Sequence, residues 1–191
     1  MVKVNIIDTS HPAHLGGHEN ETHIDEGAAD YLIKKFGIKS VIDVGCGPGG
    51  MAKVWEDRDV DWVGIDGDFE VSRDEHIRVK IHDYASAPYV TGHNWDLGWT
   101  VEFLEHVEAK YIPNYMATLQ ECRYVICTHA FPNQPGHHHV LCRDHQFWVD
   151  MFSVFGFEVD PETTNEIRQA STMKERYMKQ QSLFFRNRSL Q

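Results

Sequence analysis

Short apolar runs separated by amphipathic or polar stretches succeed one another along most of the chain, the pattern that builds a parallel sheet covered by helices. Asp25 to Phe36 predicts a first helix, and Val41 to Val44 a strand that runs through Asp43 into Gly45, Gly47 and Gly49. Gly50 to Asp57 predicts a second helix, so the glycines lead into a helix N-terminus. Asp61 to Asp66 and Ile77 to Ile81 read as the next two strands, and a fourth begins near Trp95, Asp96 and Leu97. Helices are expected around Phe103 to Glu108 and Ile112 to Glu121, then a strand over Tyr124 to Thr128 and a polar loop from Ala130 to His139. Asp144 to Phe155 predicts a further helix, and Gly156 enters a short strand, Phe157 to Val159. Thr163 to Gln181 is polar with weak helical character, and Leu183 to Arg186 turns strand-like again. The expected fold class is α/β.

The glycine stretch carries the first chemistry. Glycines let the backbone turn tightly after a strand and let a ligand approach the main chain, while the following helix offers its N-terminus to polar groups. Gly45, Gly47 and Gly50 also satisfy the G-x-G-x-x-G spacing of dinucleotide binders. Asp43 separates the two readings, because a carboxylate two residues before the first glycine would repel an anionic pyrophosphate. A ligand with an ammonium and a sulfonium would be attracted, and S-adenosylmethionine is such a ligand. The run from Val41 to Gly50 resembles motif I of the class I S-adenosylmethionine-dependent methyltransferases.

The spacing downstream agrees. Asp66 ends a strand about twenty residues beyond the glycines, where an acid accepts from both ribose hydroxyls. His82-Asp83-Tyr84 resembles the family position at which an acid meets the adenine amino group beside an aromatic ring. Tyr84 and Trp99 are candidates to wall the adenine or methionine end, and each also reads as ordinary core. The resemblance covers most of Lys39 to Arg188. It implies a Rossmann-like, seven-stranded, mostly parallel sheet in the order 3-2-1-4-5-7-6, its last strand antiparallel at Leu183 to Arg186, with helices on both faces. S-adenosyl-L-methionine would be held by Asp43, Gly45, Gly47, Gly49, Asp66 and Asp83. The expected organisation is one domain over 1–191, with 1–38 a variable lid region, 39–188 the cofactor-binding core and 163–181 a variable insertion.

A second constellation lies in Thr100 to Glu108, where Glu102, Glu105 and His106 stand at i, i+3 and i+4 and would share one face of a helix. That face would open at the carboxyl edge of the sheet, where α/β folds place their ligands. His137, His138 and His139 follow in the loop after the fifth strand, which opens on the same edge. Two carboxylates with one or two imidazoles suit magnesium, manganese, iron or zinc. Glu-x-x-Glu-His with a later histidine resembles the metal site of the small-RNA 3′-terminal 2′-O-methyltransferases, and Glu-His-Val resembles the ubiquinone-pathway O-methyltransferases. The resemblance implies Glu102, Glu105, His106 and one loop histidine, with His138 the first choice, as ligands. The alternative is metal-free catalysis by an imidazole of His106, His138 or His139 as general base. A solvated loop without chemical role is the bland reading, and His129 is a further base candidate or a core residue.

The chemistry favours an oxygen acceptor, since a hydroxyl is a poor nucleophile at neutral pH and needs a metal or a base, whereas a thiol or amine would not need two carboxylates. The leading reading is therefore an O-methyltransferase for a hydroxyl of a small molecule or glycan. The alternatives are an RNA-terminal 2′-O-methyltransferase and a non-catalytic S-adenosylmethionine-binding partner subunit. A formal charge of −11, from 29 acids against 18 bases, disfavours a nucleic-acid partner. Lys174, Arg176, Lys179, Arg186 and Arg188 are the one basic concentration and read as a helix face and a strand end. Cys46, Cys122, Cys127 and Cys142 form no C-x-x-C pair, and Cys46 lies inside the glycine loop, so a reduced, cytoplasmic protein is expected. No stretch has the apolar length that spans a bilayer. Ser10 to Asp25 carries His11, His14, His18 and His23 with Gly16-Gly17, too polar for core, and reads as a lid or a frayed terminus. Phe147, Trp148, Phe152 and Phe155 have helical spacing and read as core, with Trp148 also able to face a ring-shaped acceptor.

Overall fold

A computed structural model of the chain describes residues 12, 14–18 and 20–190. Seven strands form one sheet: β1 Ser40–Val44, β2 Asp61–Asp66, β3 Val79–Ile81, β4 Trp95–Thr100, β5 Cys122–Cys127, β6 Phe157–Val159 and β7 Leu183–Asn187. Their order is β3-β2-β1-β4-β5-β7-β6. β1 to β5 run parallel, and β7 inserts antiparallel to both β5 and β6. This is the topology that the resemblance implies.

The central strands are apolar on both faces because both are covered. One face packs α1 Glu26–Phe36, α2 Met51–Glu56, α5 Pro161–Ala170 and α6 Tyr177–Gln181 around Trp55, Trp62, Trp99 and Phe184. The other packs α3 Ile112–Leu119 and α4 His145–Val154 around Tyr115, Trp148, Phe152 and Phe185. Phe184 and Phe185 are successive residues of β7, so the pleat sends one ring to each core. Trp148 thus lies in the core, with no exposure.

Capping fixes where the helices begin. Asp25 is buried and accepts from the Ala28 N–H at the start of α1, from Ser171 Oγ and from the Thr172 N–H. It therefore ties the first helix to the chain leaving α5. Asp160 caps α5 through the Thr163 N–H and pairs with Arg186 of β7. The polar stretch after Val159 is more helical than its composition predicts, because these caps and the burial of Ile167 and Met178 hold it.

One expected element is absent. No α-helix spans Phe103 to Glu108: Leu104–His106 is a single 3-10 turn, and Glu102 before it has φ +55°, a left-handed conformation that breaks helical geometry. Glu102, Glu105 and His106 are therefore not aligned by helical spacing. The exposed edges of the predicted strands also move by a residue or two, since β3 begins at Val79 and β5 at Cys122. Among the described residues no helix is long and apolar enough to cross a membrane.

Candidate functional site

A cavity of about 360 Å³ opens at the carboxyl edge of the sheet, running from Asp66 and Asp83 past Glu102 to His106 and His139. Its first half is built by the glycine turn. Gly45, Gly47 and Gly49 have φ of +80°, +52° and +81°. A side chain at Gly45 would strike the Phe103 ring, and one at Gly49 would strike Ile77. The Gly45 N–H donates to Ile65 O at 2.8 Å, which locks the turn to β2.

Asp66, at the end of β2, accepts from the Gly47 N–H and the Asp68 N–H, both at 2.7 Å, and pairs with Arg73 at 3.2 Å. Asp43 is buried beneath the turn and accepts from Trp62 Nε1 at 3.3 Å. Burial drives its pKa up to about 8; the Trp62 hydrogen bond opposes the rise and the Asp66 charge adds to it. Tyr84 is buried, with its hydroxyl 2.7 Å from Thr118 Oγ1, and Trp99 is buried with Trp55 edge-on at 5.5 Å. Both line the cavity while serving the core.

Residues 14–18 and 20–23 lie across this half as a strap. His14 Nε2 donates to Asp83 Oδ2 at 2.9 Å, while Asp83 Oδ1 accepts from the Ala85 N–H at 2.7 Å. His18 accepts from the Asn20 N–H on Nδ1, so its Nε2 carries the proton donated to Asp68 Oδ2 at 3.0 Å. His137 Nε2 donates to Leu15 O at 3.3 Å, joining the strap to the histidine loop. His11 lies outside the described residues.

The second half is differently made. Glu102 leaves β4 in its left-handed conformation and is clamped to the end of β5. Its N–H donates to Thr128 Oγ1 at 2.7 Å, and that hydroxyl donates to Glu102 Oε1 at 2.8 Å. Burial raises the Glu102 pKa to about 7, against the Thr128 hydrogen bond. Glu105 is wholly buried, and among the described residues neither carboxylate oxygen has a hydrogen-bond partner. Burial, with the Glu102 charge added, pushes its pKa well above the ordinary range.

Glu105, His106 and His139 each bring a ligand atom within 4.8 Å of the others. The two rings meet edge to face at 5.0 Å. His106 Nδ1 donates to His137 O at 2.8 Å, and His139 Nδ1 donates to Gln134 O at 3.0 Å. Both protons are thereby placed on Nδ1, leaving each Nε2 a lone pair. Burial lowers the His106 pKa to about 4, with His139 adding to the shift, so the imidazole is neutral at physiological pH.

Of the predicted site residues, then, His106 and Glu105 meet His139. His138 has φ +45° and turns its ring toward His14, centroids 6.2 Å apart. His129 is buried, its Nε2 2.7 Å from His145 Nδ1, and it does not line the cavity. Sequence reasoning did not find Thr128, Arg73 or Tyr177, the last of which lines the cavity from α6. No motif marks them, since each reaches the site through a loop or a crossing helix.

No family model and no curated protein matches the chain. Solved structures do. The methyltransferase domain of bacterial CtHen1-C superposes with a TM-score of 0.59 at 18% identity, over 84% of this chain and 95% of that one. A SAM dependent methyltransferase from Archaeoglobus fulgidus gives a TM-score of 0.56 at 13% identity, covering 84% and 90%. Burkholderia thailandensis 1,6-didemethyltoxoflavin-N1-methyltransferase, with S-adenosylhomocysteine bound, gives 0.58 at 13% identity, covering 84% and 76%. What the chain has in common with all three is the class I methyltransferase fold.

Proposed function

We propose that the chain is an S-adenosylmethionine-dependent methyltransferase that methylates a hydroxyl of a small molecule or glycan, with a divalent cation held by Glu105, His106 and His139. The observation that carries this reading is the Glu105 carboxylate, buried without a hydrogen bond beside two imidazoles with free Nε2 atoms. An uncompensated buried carboxylate is costly, and a cation would satisfy it. Such a cation, when bound, lowers the pKa of an acceptor hydroxyl.

The remaining work falls to the chain. Asp66 accepts the ribose hydroxyls and Asp83 the adenine amino group, while Asp43, once ionised, attracts the ammonium and sulfonium of the donor. The acceptor oxygen attacks the methyl carbon in line as the carbon–sulfur bond breaks, leaving S-adenosylhomocysteine. Glu102, lining the same cavity with its pKa near 7, takes the hydroxyl proton.

Among the described residues no lysine or arginine lines the cavity, which argues against a polyanionic RNA end as acceptor. The open path from Asp66 to His139 likewise argues against a non-catalytic subunit. The test combines elemental analysis after mild purification, calorimetry with S-adenosylhomocysteine, and turnover of hydroxylated acceptors with and without chelator. Bound metal, cofactor affinity and chelator-sensitive turnover are expected. Undiminished turnover in chelator removes the cation, and failure to bind S-adenosylhomocysteine removes the methyltransferase.

A further inference from the structure

Arg73 sits in the loop after β2, outside every motif, with its side chain only 10% exposed. Its Nε donates to Gly47 O at 2.9 Å and one Nη donates to Asp68 O at 2.8 Å. The other Nη stands 3.2 Å from Asp66 Oδ1, an ion-pair distance, and makes no hydrogen bond among the described residues. Asp66 in turn accepts from the Gly47 N–H. The peptide groups on both sides of Gly47, which has φ +52°, are therefore held by one acid–base pair. Arg73 does not line the cavity, whereas Asp66 and Gly47 do.

Resting on the cofactor reading above, we infer that Arg73 is a positioning residue for the cofactor ribose, acting through Asp66. It stands behind the carboxylate at ion-pair distance from Oδ1, while Oδ2, which among the described residues accepts from the Gly47 N–H alone, keeps a lone pair for a ribose hydroxyl. The guanidinium also sets a permanent positive charge 3.2 Å from the Asp66 carboxylate. Its grip on Gly47 O joins the glycine turn and the acid into one rigid unit. A cofactor finding that unit already formed binds without having to order it.

The test is calorimetry of S-adenosylhomocysteine and of its 2′,3′-dideoxyribose analogue with the full chain, its Arg73→Met variant and its Arg73→Lys variant. Arg73→Met should bind S-adenosylhomocysteine about tenfold or more weakly, the scale of one charge-assisted contact. Arg73→Lys, which keeps the charge but not the fork, should recover part of the loss. The dideoxy analogue, lacking the hydroxyls that Asp66 would receive, should bind equally weakly to all three. Equal affinity of the unsubstituted chain and Arg73→Met for S-adenosylhomocysteine overturns the role. So does an equal loss for both ligands, or failure of both variants to fold, either of which makes Arg73 a scaffold residue. If the unsubstituted chain itself binds neither ligand, the cofactor reading falls and takes Arg73's role with it.

Discussion

Asp66 and Asp83 at one end of the cavity and Glu105 at the other are treated in opposite ways. On the glycine side, Asp66 and Asp83 have both oxygens engaged by backbone N–H groups, Arg73 or His14. On the histidine side, Glu105 is buried deeper than either and, among the described residues, has no hydrogen-bond partner. Buried polar groups in native proteins are nearly always satisfied, so an orphan carboxylate marks either stored cost or an expected visitor. Asp66 and Asp83 are satisfied without a ligand, whereas on the proposed reading Glu105 would be satisfied by a cation.

The sharpest way to break that contrast is at Glu105. Glu105→Met should abolish binding of added manganese or zinc while leaving S-adenosylhomocysteine affinity unchanged. The metal-free variant should be more stable by about 1–3 kcal/mol, the cost of one unsatisfied buried group, which at this chain length is about 2–4 °C in Tm per kcal/mol. The sign with pH follows from the raised pKa. A buried acid held protonated is no burden below its unfolded value, and its contribution is lost as pH rises toward the folded value. The gain in Glu105→Met should therefore be larger at pH 8 than at pH 5. A variant that is less stable at both, in thermal unfolding without metal, would mean that the carboxylate has a partner.

Asp66→Ala tests the other half. Losing the acceptor of two ribose hydroxyls should weaken S-adenosylhomocysteine by about a hundredfold, at about 1.5 kcal/mol or more for each charge-assisted bond. Metal affinity should not move. If it does, the halves are one site energetically and the contrast fails.

Asp43 offers a subtler measure. Its pKa near 8 leaves it protonated in the free protein at neutral pH, and a cationic ligand favours the ionised form. S-adenosylmethionine binding should release a proton, and its affinity relative to neutral-sulfur S-adenosylhomocysteine should rise with pH and level off above about 8. The expected gain between pH 6 and pH 9 is about tenfold, the equivalent of one pKa unit. Asp43→Asn should flatten the ratio.

The same contrast explains how much could be read from the sequence. The glycine half follows from local rules: Asp43, Gly45, Gly47 and Asp66 sit at strand ends whose period and spacing fix their side of the sheet. Strand order is legible only through the resemblance to the class I methyltransferases, not from periodicity. The histidine half depends on irregular backbone. Glu102 at φ +55° and His138 at φ +45° turn in ways that no periodicity announces, so helical spacing misjudged how Glu102 stands to Glu105. Which of three consecutive histidines faces Glu105 was likewise undecidable, because the choice is made by Gln134 O holding His139 Nδ1. Arg73 and Tyr177 arrive from a loop and a crossing helix, and only tertiary packing brings them near.

The smallest effect concerns the strap that joins the halves. His14 donates to the Asp83 oxygen that the adenine amino group would need, and the other oxygen is held by the Ala85 N–H. Cofactor and strap therefore compete for one acceptor. Both partners of the His14–Asp83 pair are about a third exposed, at 33% and 30%, so the contact is weak, with surface pairs contributing about 0–1 kcal/mol. His14→Ala should accordingly bind S-adenosylhomocysteine a few-fold more tightly, through faster association in stopped-flow mixing. A few-fold loss through faster dissociation would reverse the relation. It would make His14 part of a cover over the bound cofactor, and, through Leu15 and His137, a link by which filling the glycine half braces the histidine loop.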